Sequence, residues 1–209
     1  MRNFLIAALA ALTAVALGYG VIAQPFGLIV GATPIVGGTS GNCLKIPSVS
    51  GAPIIADGCV LVLGSSSASV SVSSGTAEVQ LGAITVPANS MGANGRLRIT
   101  TWWSYTNNAN NKTLRVRFNG ISGTAFQTVV VTTTASSFLQ ININNNNATN
   151  AQKNVAANSS GGVGSTASAF VTAAIDTTAT VVVSITGQPA SGGDTITLES
   201  YLVELIPGV

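Results

Sequence analysis

Few side chains in this sequence are of the types that catalyse reactions. It has no histidine, which is the residue most often used as a general base or metal ligand. Its six acidic residues are scattered, and none forms a close DxD or ExxE pair. It has no G-x-S-x-G motif, no phosphate-binding loop and no calcium-binding loop. We therefore expect a non-enzymatic protein without a metal or other cofactor, with a carboxylate pair assembled only by the fold as the alternative.

Aromatic residues are the next candidates for a functional site, because sugar rings stack on exposed aromatic faces. Trp102, Trp103 and Tyr105 lie within one stretch that alternates between apolar and polar residues. Neighbouring residues of a strand point to opposite faces, so at most one of the two tryptophans belongs to a core. In one interpretation Trp103 is core and Trp102 fills a contact with another subunit or layer. In the other, an exposed Trp102 forms a glycan platform with Tyr105.

Five of the eight basic residues are concentrated between residues 96 and 117. The alternating segments Arg96 to Tyr105 and Lys112 to Phe118 predict two strands, and the polar stretch TNNANN between them predicts a hairpin loop. Such a hairpin would place the following side chains on one outer face: Arg96, Arg98, Arg115 and Arg117. That face is either solvated or a contact for an acidic partner subunit or lipopolysaccharide. Nucleic acid is disfavoured, because the net charge is only +2.

The first 60 residues differ in composition from the rest of the chain. Residues 1–23 resemble a signal peptide, with Arg2 before an apolar run and small residues before Gln24. An uncleaved membrane anchor and a segment buried in an assembly are the alternatives. Residues 24–60 are interrupted by Gly and Pro, which predicts an extended arm. Within it, Cys43 and Cys59 could form a disulfide worth about 3 kcal/mol in an oxidising compartment, or remain free thiols.

Residues 61–209 predict an all-β domain. Eight or more short strands follow one another at fairly even spacing, without an amphipathic helix after residue 24. This pattern predicts an antiparallel β-sandwich of the jelly-roll type. We expect turns at 64–66 and 187–193 and a long polar loop over 144–168. A change of phase in the last strand predicts a β-bulge near Ser200.

Two stretches resemble known proteins. Residues 32–44, ATPIVGGTSGNCL, are similar to a repeated linker in fibre and appendage proteins of tailed phages. The block that begins at Ile84, together with the closing DTITLESYLVEL, is similar to a β-sandwich domain of phage virion proteins. This resemblance implies a structural or attachment role, assembly with other virion proteins and, as is common for such parts, a homotrimer.

Two functions follow as hypotheses. In the first, the chain is a phage virion protein that docks by its arm and projects the sandwich as a capsid decoration, head fibre or tail fibre part. In the second, it is an exported carbohydrate-binding or surface-adhesion module, secreted or periplasmic through residues 1–23. Neither hypothesis includes a catalytic residue.

Overall fold

A computed structural model describes residues 60–156 and 168–208, and all regular structure within these ranges is β-strand. The strands alternate buried and exposed side chains, as the sequence pattern predicts. Their bounds are β1 Leu61–Ser66, β2 Val70–Val72, β3 Val79–Val86, β4 Arg96–Tyr105, β5 Lys112–Phe118, β6 Thr124–Val131, β7 Ser136–Asn145, β8 Gln152–Val155, β9 Phe170–Ala173, β10 Val181–Pro189 and β11 Ile196–Ile206.

The strands form two antiparallel sheets. The larger sheet has the order β1-β11-β4-β7-β8-β9, and β2 also pairs with β11. The smaller sheet has the order β3-β10-β5-β6. If β2, β8 and β9 are set aside, the eight main strands divide into β1-β11-β4-β7 and β3-β10-β5-β6, which is the strand order of a jelly roll. The predicted fold class, an antiparallel jelly-roll-like β-sandwich, is therefore confirmed.

The core lies between the two sheets and is formed by the inward-facing residues of both. On the larger sheet Leu97, Ile99 and Trp103 of β4 are almost completely buried. On the smaller sheet Phe118 of β5 packs edge-on against Phe126 of β6, with ring centroids 6.3 Å apart. Burial of these large apolar side chains is the main source of stability.

The predicted hairpin between β4 and β5 is wrong. β4 pairs with β11 and β7 in the larger sheet, whereas β5 pairs with β10 and β6 in the smaller sheet. The residues between them therefore cross from one sheet to the other. Both strands alternate as expected, but alternation indicates only that each strand has one buried face, and it does not indicate which strand is the neighbour.

Three other local predictions differ from the structure. The predicted turn at 64–66 lies inside β1, where the register shifts between Val62 and Gly64 as it pairs with β11. β10 continues through Gly187 to Pro189, so the turn after it is shorter than expected. The predicted loop over 144–168 contains β8 and the end of β7. The predicted bulge near Ser200 is confirmed by a register shift between Leu198 and Ser200.

Buried amides explain why β8 forms in so polar a stretch. Gln152 is 1% exposed, and its Nε2 donates to Asn145 Oδ1 at 2.7 Å. Its Oε1 accepts the backbone N–H of Ile175 at 2.8 Å. Asn145 Nδ2 in turn donates to the Thr177 hydroxyl at 2.9 Å. These hydrogen bonds replace the apolar burial that a polar strand lacks.

Glycines allow the C-terminal residues to pass close to the turn before β4. The N–H of Gly208 donates to the carbonyl of Met91 at 2.9 Å. Gly92 has φ of +69°, and a Cβ there would lie 2.1 Å from the Gly208 carbonyl oxygen. A side chain at Gly92 would therefore be both strained and obstructed.

Several predictions fall outside the described residues. They are the signal-like segment 1–23, the arm 24–60 and the Cys43–Cys59 disulfide. The described part of the chain has no helix that is long and apolar enough to cross a membrane.

Candidate functional site

Trp102 and Trp103 point to opposite sides of β4. Trp103 is 2% exposed and lies in the core, where its Nε1 donates to the Thr101 hydroxyl at 2.8 Å. Trp102 is 37% exposed on the outer face of the larger sheet. The prediction that Trp103 is the core residue is therefore confirmed, and Trp102 lies on the outer face, where the predicted contact with another subunit or layer stays a prediction.

Tyr105 does not join Trp102 on this outer face. It lies three positions further along β4, and the alternation of the strand turns it inward, where it is only 7% exposed. Burial raises the pKa of its hydroxyl, and the nearby Ser137 hydroxyl acts in the opposite direction. The Trp102–Tyr105 platform expected from the sequence is therefore not formed.

Phe138 of β7 stands beside Trp102 instead. The two residues are direct cross-strand partners, and their ring centroids are 5.3 Å apart at an interplanar angle of 66°. Phe138 is 58% exposed. The sequence contains a signal for this pair, because Phe138 is an aromatic residue in the polar phase of β7, which it shares with Gln140 and Asn142. We call Trp102 and Phe138 the aromatic pair.

Hydroxyl, amide and carboxylate groups border the aromatic pair. Gln140 Nε2 donates to Thr100 Oγ1 at 3.2 Å, next to the pair in the cross-strand register. On the other side the Ser104 hydroxyl contacts a carboxylate oxygen of Glu199. An apolar centre with a polar border is the composition of a protein interface. It also matches what a sugar needs, an aromatic face with hydrogen-bonding groups beside it.

Arg98 lies further along the same outer face and is paired. Its Nε and Nη2 donate to the two carboxylate oxygens of Glu204 at 2.7 and 2.9 Å. These hydrogen bonds hold the pKa of Glu204 below its ordinary value, although partial burial acts against them. Among the described residues, Arg96 makes neither an ion pair nor a side-chain hydrogen bond, and its side chain is exposed.

The outer face of the smaller sheet is occupied by a polar network. Arg117 donates to both oxygens of Glu78 at 2.7 and 2.8 Å, and to the carbonyl of Gly123 at 2.9 Å. Arg115 Nη1 lies 3.2 Å from Glu78 and donates to Gln188 at 2.8 Å. We call this group, together with the Thr186 hydroxyl that donates to Glu78 at 2.5 Å, the Glu78 network.

Burial and hydrogen bonding oppose each other at Glu78. Partial burial of the carboxyl acts to raise its pKa. The hydrogen bonds from Arg117 and Thr186 and the charges of both arginines outweigh this effect, so the pKa of Glu78 lies below its ordinary value of 4.5. Glu78 is thus a structural carboxylate that joins two arginines.

The structure separates the four arginines that the hairpin would have placed on one face. Arg96 and Arg98 belong to β4 of the larger sheet, and Arg115 and Arg117 to β5 of the smaller sheet. Their outward faces lie on opposite sides of the sandwich. The expected common basic surface for an acidic partner or lipopolysaccharide therefore does not exist, and three of the four arginines are paired with acids of the same chain.

No protein-family model matches this sequence, and no curated protein is significantly similar to it. The matches among solved structures include one titled as the structure of infectious bursal disease virus, Gx strain, with a TM-score of 0.37 and 11% identity. A second is the VP2 subviral particle of infectious bursal disease virus, with a TM-score of 0.33 and 13% identity. Each match covers 78% of this chain, which spans only 37% and 38% of those chains. Likeness at this level does not indicate a function.

Within the described residues, no group of three or more His, Cys, Asp or Glu side chains is arranged to hold a metal ion. The aromatic pair with its polar border is the candidate site that the exposed side chains of the larger sheet offer.

Proposed function

We propose that this protein is a non-enzymatic structural component of a phage virion. The observation on which the proposal rests is the jelly-roll strand order of the described residues. Jelly rolls form viral capsid domains and also lectins, and one fold serves many functions. The resemblance of residues 32–44 to phage appendage linkers favours the virion among these functions.

The surface of the sandwich supports an assembly role. The aromatic pair is exposed on β4 and β7, the third and fourth strands in the order of the larger sheet. Aromatic residues are enriched in protein interfaces relative to the rest of a protein surface. We infer that the aromatic pair contacts another virion subunit, either a second copy of this chain in a homotrimer or a different virion protein.

The arm is the second part of the proposal. Residues 24–60 would dock on the particle, and the sandwich would project from it as a capsid decoration, head fibre or tail fibre part. A deletion of the arm should leave a folded sandwich that no longer incorporates into particles. Normal incorporation of the deleted protein would contradict the docking role.

The experiment that tests the virion proposal is peptide mass spectrometry on gradient-purified phage particles. We expect peptides of the described strands at a constant ratio to the major particle protein across the gradient peak. Peptides found only in the soluble or membrane fraction would overturn the proposal. The N-terminal peptide also matters, because a chain that begins at Gln24 would indicate export.

A carbohydrate-binding function, exported through residues 1–23, is the second candidate. It is favoured by the polar border of the aromatic pair, where Thr100, Gln140 and Glu199 offer hydroxyl, amide and carboxylate groups. Glycan array binding by the full chain, lost in Trp102→Ala and retained in Val130→Ala, would support it. Val130 is a suitable control because it is a similarly exposed apolar residue, 39% exposed, on the smaller sheet.

A further inference from the structure

Three polar side chains meet where the segment between β4 and β5 lies beside the turn between β10 and β11. Lys112 Nζ lies 2.9 Å from Asn108 Oδ1 and 3.2 Å from the Asn108 backbone oxygen. Asn108 Nδ2 lies 2.5 Å from Asp194 Oδ1. An amine, a carboxamide and a carboxylate are therefore in contact in that order. None of the three residues belongs to the aromatic pair or to the Glu78 network.

The burial of this group is unusual. Lys112 is completely buried and Asp194 is 2% exposed. Neither residue forms an ion pair within the described part of the chain. Asp194 Oδ2 is buried without a hydrogen-bond partner there. Burying an ammonium and a carboxylate without direct pairing is costly, and β-sandwiches ordinarily fill such positions with apolar residues.

We propose that Lys112 and Asn108 react with each other to form an intramolecular amide bond, with Asp194 transferring the proton. Lys112 Nζ, as the free amine, attacks Cγ of Asn108 and a C–N bond forms. Nζ and Nδ2 are then both bonded to Cγ, which brings the attacking nitrogen next to the carboxylate that contacts Nδ2. Asp194 accepts a proton from the attacking nitrogen and gives it to Asn108 Nδ2. The bond from Cγ to Nδ2 then breaks and ammonia leaves. One amine and one primary amide become one secondary amide and one ammonia, so no oxidant or co-reactant is required.

The geometry favours this reaction in three ways. Lys112 Nζ is within about 4 Å of Asn108 Cγ, because the carbon is one C=O bond beyond Oδ1. Such proximity replaces a bimolecular encounter with an intramolecular one. A carboxylate at hydrogen-bond distance from the leaving amide can act as general base and then general acid. The burial of Lys112 and Asp194 also keeps water away from the attacking amine and from the carboxylate.

The product would remove the energetic problem of the buried group. The amide nitrogen cannot carry the charge of an amine, and its N–H can still donate a hydrogen bond. The new bond also closes the segment from 108 to 112, the crossing between the two sheets. This inference concerns the maturation of the fold, and it does not depend on the proposed virion function.

Trypsin digestion of the full-length wild-type protein tests the proposal directly. Without the bond, cleavage after Arg98, Lys112 and Arg115 gives the peptide Ile99–Lys112 at its full mass. With the bond, Lys112 is no longer a substrate for trypsin. We then expect the uncut peptide Ile99–Arg115, lighter by one ammonia, about 17 Da. Recovery of Ile99–Lys112 at full mass would overturn the proposal.

Cyclisation of Asn108 onto its own backbone would cause the same mass loss, but the site of cleavage distinguishes the two reactions. A backbone succinimide leaves the Lys112 amine free, so trypsin would still cut there. Recovery of Ile99–Lys112 lighter by about 17 Da would therefore overturn the proposal, because the lysine would not have reacted. Fragmentation of the uncut peptide should place the mass loss between Asn108 and Lys112.

Variants test the roles of the three residues. Lys112→Arg keeps the charge and removes the nucleophile, and Asp194→Asn keeps the shape and removes the proton carrier. Both should give peptides at full mass. Lys153→Arg is the matched control, since Lys153 lies over the Phe170 ring on another strand, and it should retain the loss. Persistence of the bond in Asp194→Asn would overturn the assignment of Asp194, and the wild-type digest remains decisive if a variant fails to fold.

Discussion

On the outer face of the smaller sheet, Glu78 lies between Arg115 and Arg117 and accepts hydrogen bonds from within the chain. On the outer face of the larger sheet, Trp102 and Phe138 stand exposed next to each other. Even small hydroxyl residues of the smaller sheet are covered by this polar layer, since Ser184 and Thr186 are completely buried. The Glu78 network thus pairs its charged groups within the chain, whereas the larger sheet leaves an aromatic surface open.

This difference bears on the proposed assembly contact. A network whose donors and acceptors are already paired gains little from a new contact, and it loses hydration when it is buried. An exposed tryptophan and phenylalanine gain free energy from burial, roughly in proportion to the area removed from water. We therefore expect the proposed assembly contact on the larger sheet and solvent on the smaller sheet.

The largest expected effect is the difference in stability between variants of the two tryptophans on opposite faces of β4. Trp103→Ala should lower the free energy of unfolding by about 3–5 kcal/mol, because it leaves a cavity in the core. Trp102→Ala should lower it by about 1 kcal/mol or less, because the ring lies on the outer face of the sheet and its removal leaves no cavity in the core. Urea denaturation followed by circular dichroism measures both. Equal losses in the two variants would contradict the assignment of Trp102 to an open surface.

A smaller effect tests whether the Glu78 network stabilises the smaller sheet. Arg117→Ala removes the hydrogen bonds to Glu78 and to the Gly123 carbonyl, and should cost about 1–3 kcal/mol. Arg96→Ala, on the larger sheet, should change the free energy of unfolding by about 0.5 kcal/mol or less, as is usual for an exposed, unpaired side chain. The same denaturation assay applies. An Arg96→Ala variant less stable than Arg117→Ala would reverse the comparison.

The smallest effect concerns the pH dependence of stability. The pKa of Glu78 in the folded protein lies below its ordinary value of 4.5. Its contribution is therefore fully present above 4.5 and is lost as the pH falls through the lower, folded value. In the Glu78→Gln variant, the free energy of unfolding should therefore fall less steeply as the pH is lowered.

The matched variant for this measurement is Glu204→Gln. The pKa of Glu204 is also lowered, but one arginine is responsible, whereas two arginines and a hydroxyl act on Glu78. We expect Glu204→Gln to flatten the acid slope less than Glu78→Gln does. Denaturation midpoints measured above and below pH 4.5 in both variants give the slopes. A larger change in Glu204→Gln would show that the larger sheet holds the more important carboxylate.

The fold class could be predicted from the sequence because a half-buried β-strand alternates apolar and polar residues, and this pattern is visible in the sequence. Leu97, Ile99 and Trp103 are buried in the phase that the pattern indicates. The same pattern does not show which strands are neighbours in a sheet. In a jelly roll, consecutive strands such as β4 and β5 belong to different sheets, so the predicted hairpin and its common arginine face were wrong.

The candidate site was predicted in part, for a related reason. Trp102 was correctly separated from Trp103, but its partner is Phe138 of β7, which is distant in sequence and becomes a neighbour only through the sheet. β8 was missed because Gln152 is buried by hydrogen bonds, and apolar periodicity does not detect that kind of burial. Lys112 shares the phase of Leu114 and Val116, and this placement of a charge was the signal of a buried lysine.

The most direct test of the assembly contact is the incorporation of face-specific variants into phage particles. Trp102→Ser combined with Phe138→Ser alters the larger sheet, and Val130→Ser alters a similarly exposed apolar residue of the smaller sheet. Both proteins should fold, and quantitative mass spectrometry of purified particles measures how much of each is present. The account predicts that the double variant falls by about tenfold or more, because truncated interface aromatics commonly cost over 1 kcal/mol, while Val130→Ser is unchanged. Equal incorporation of the two folded variants would contradict it.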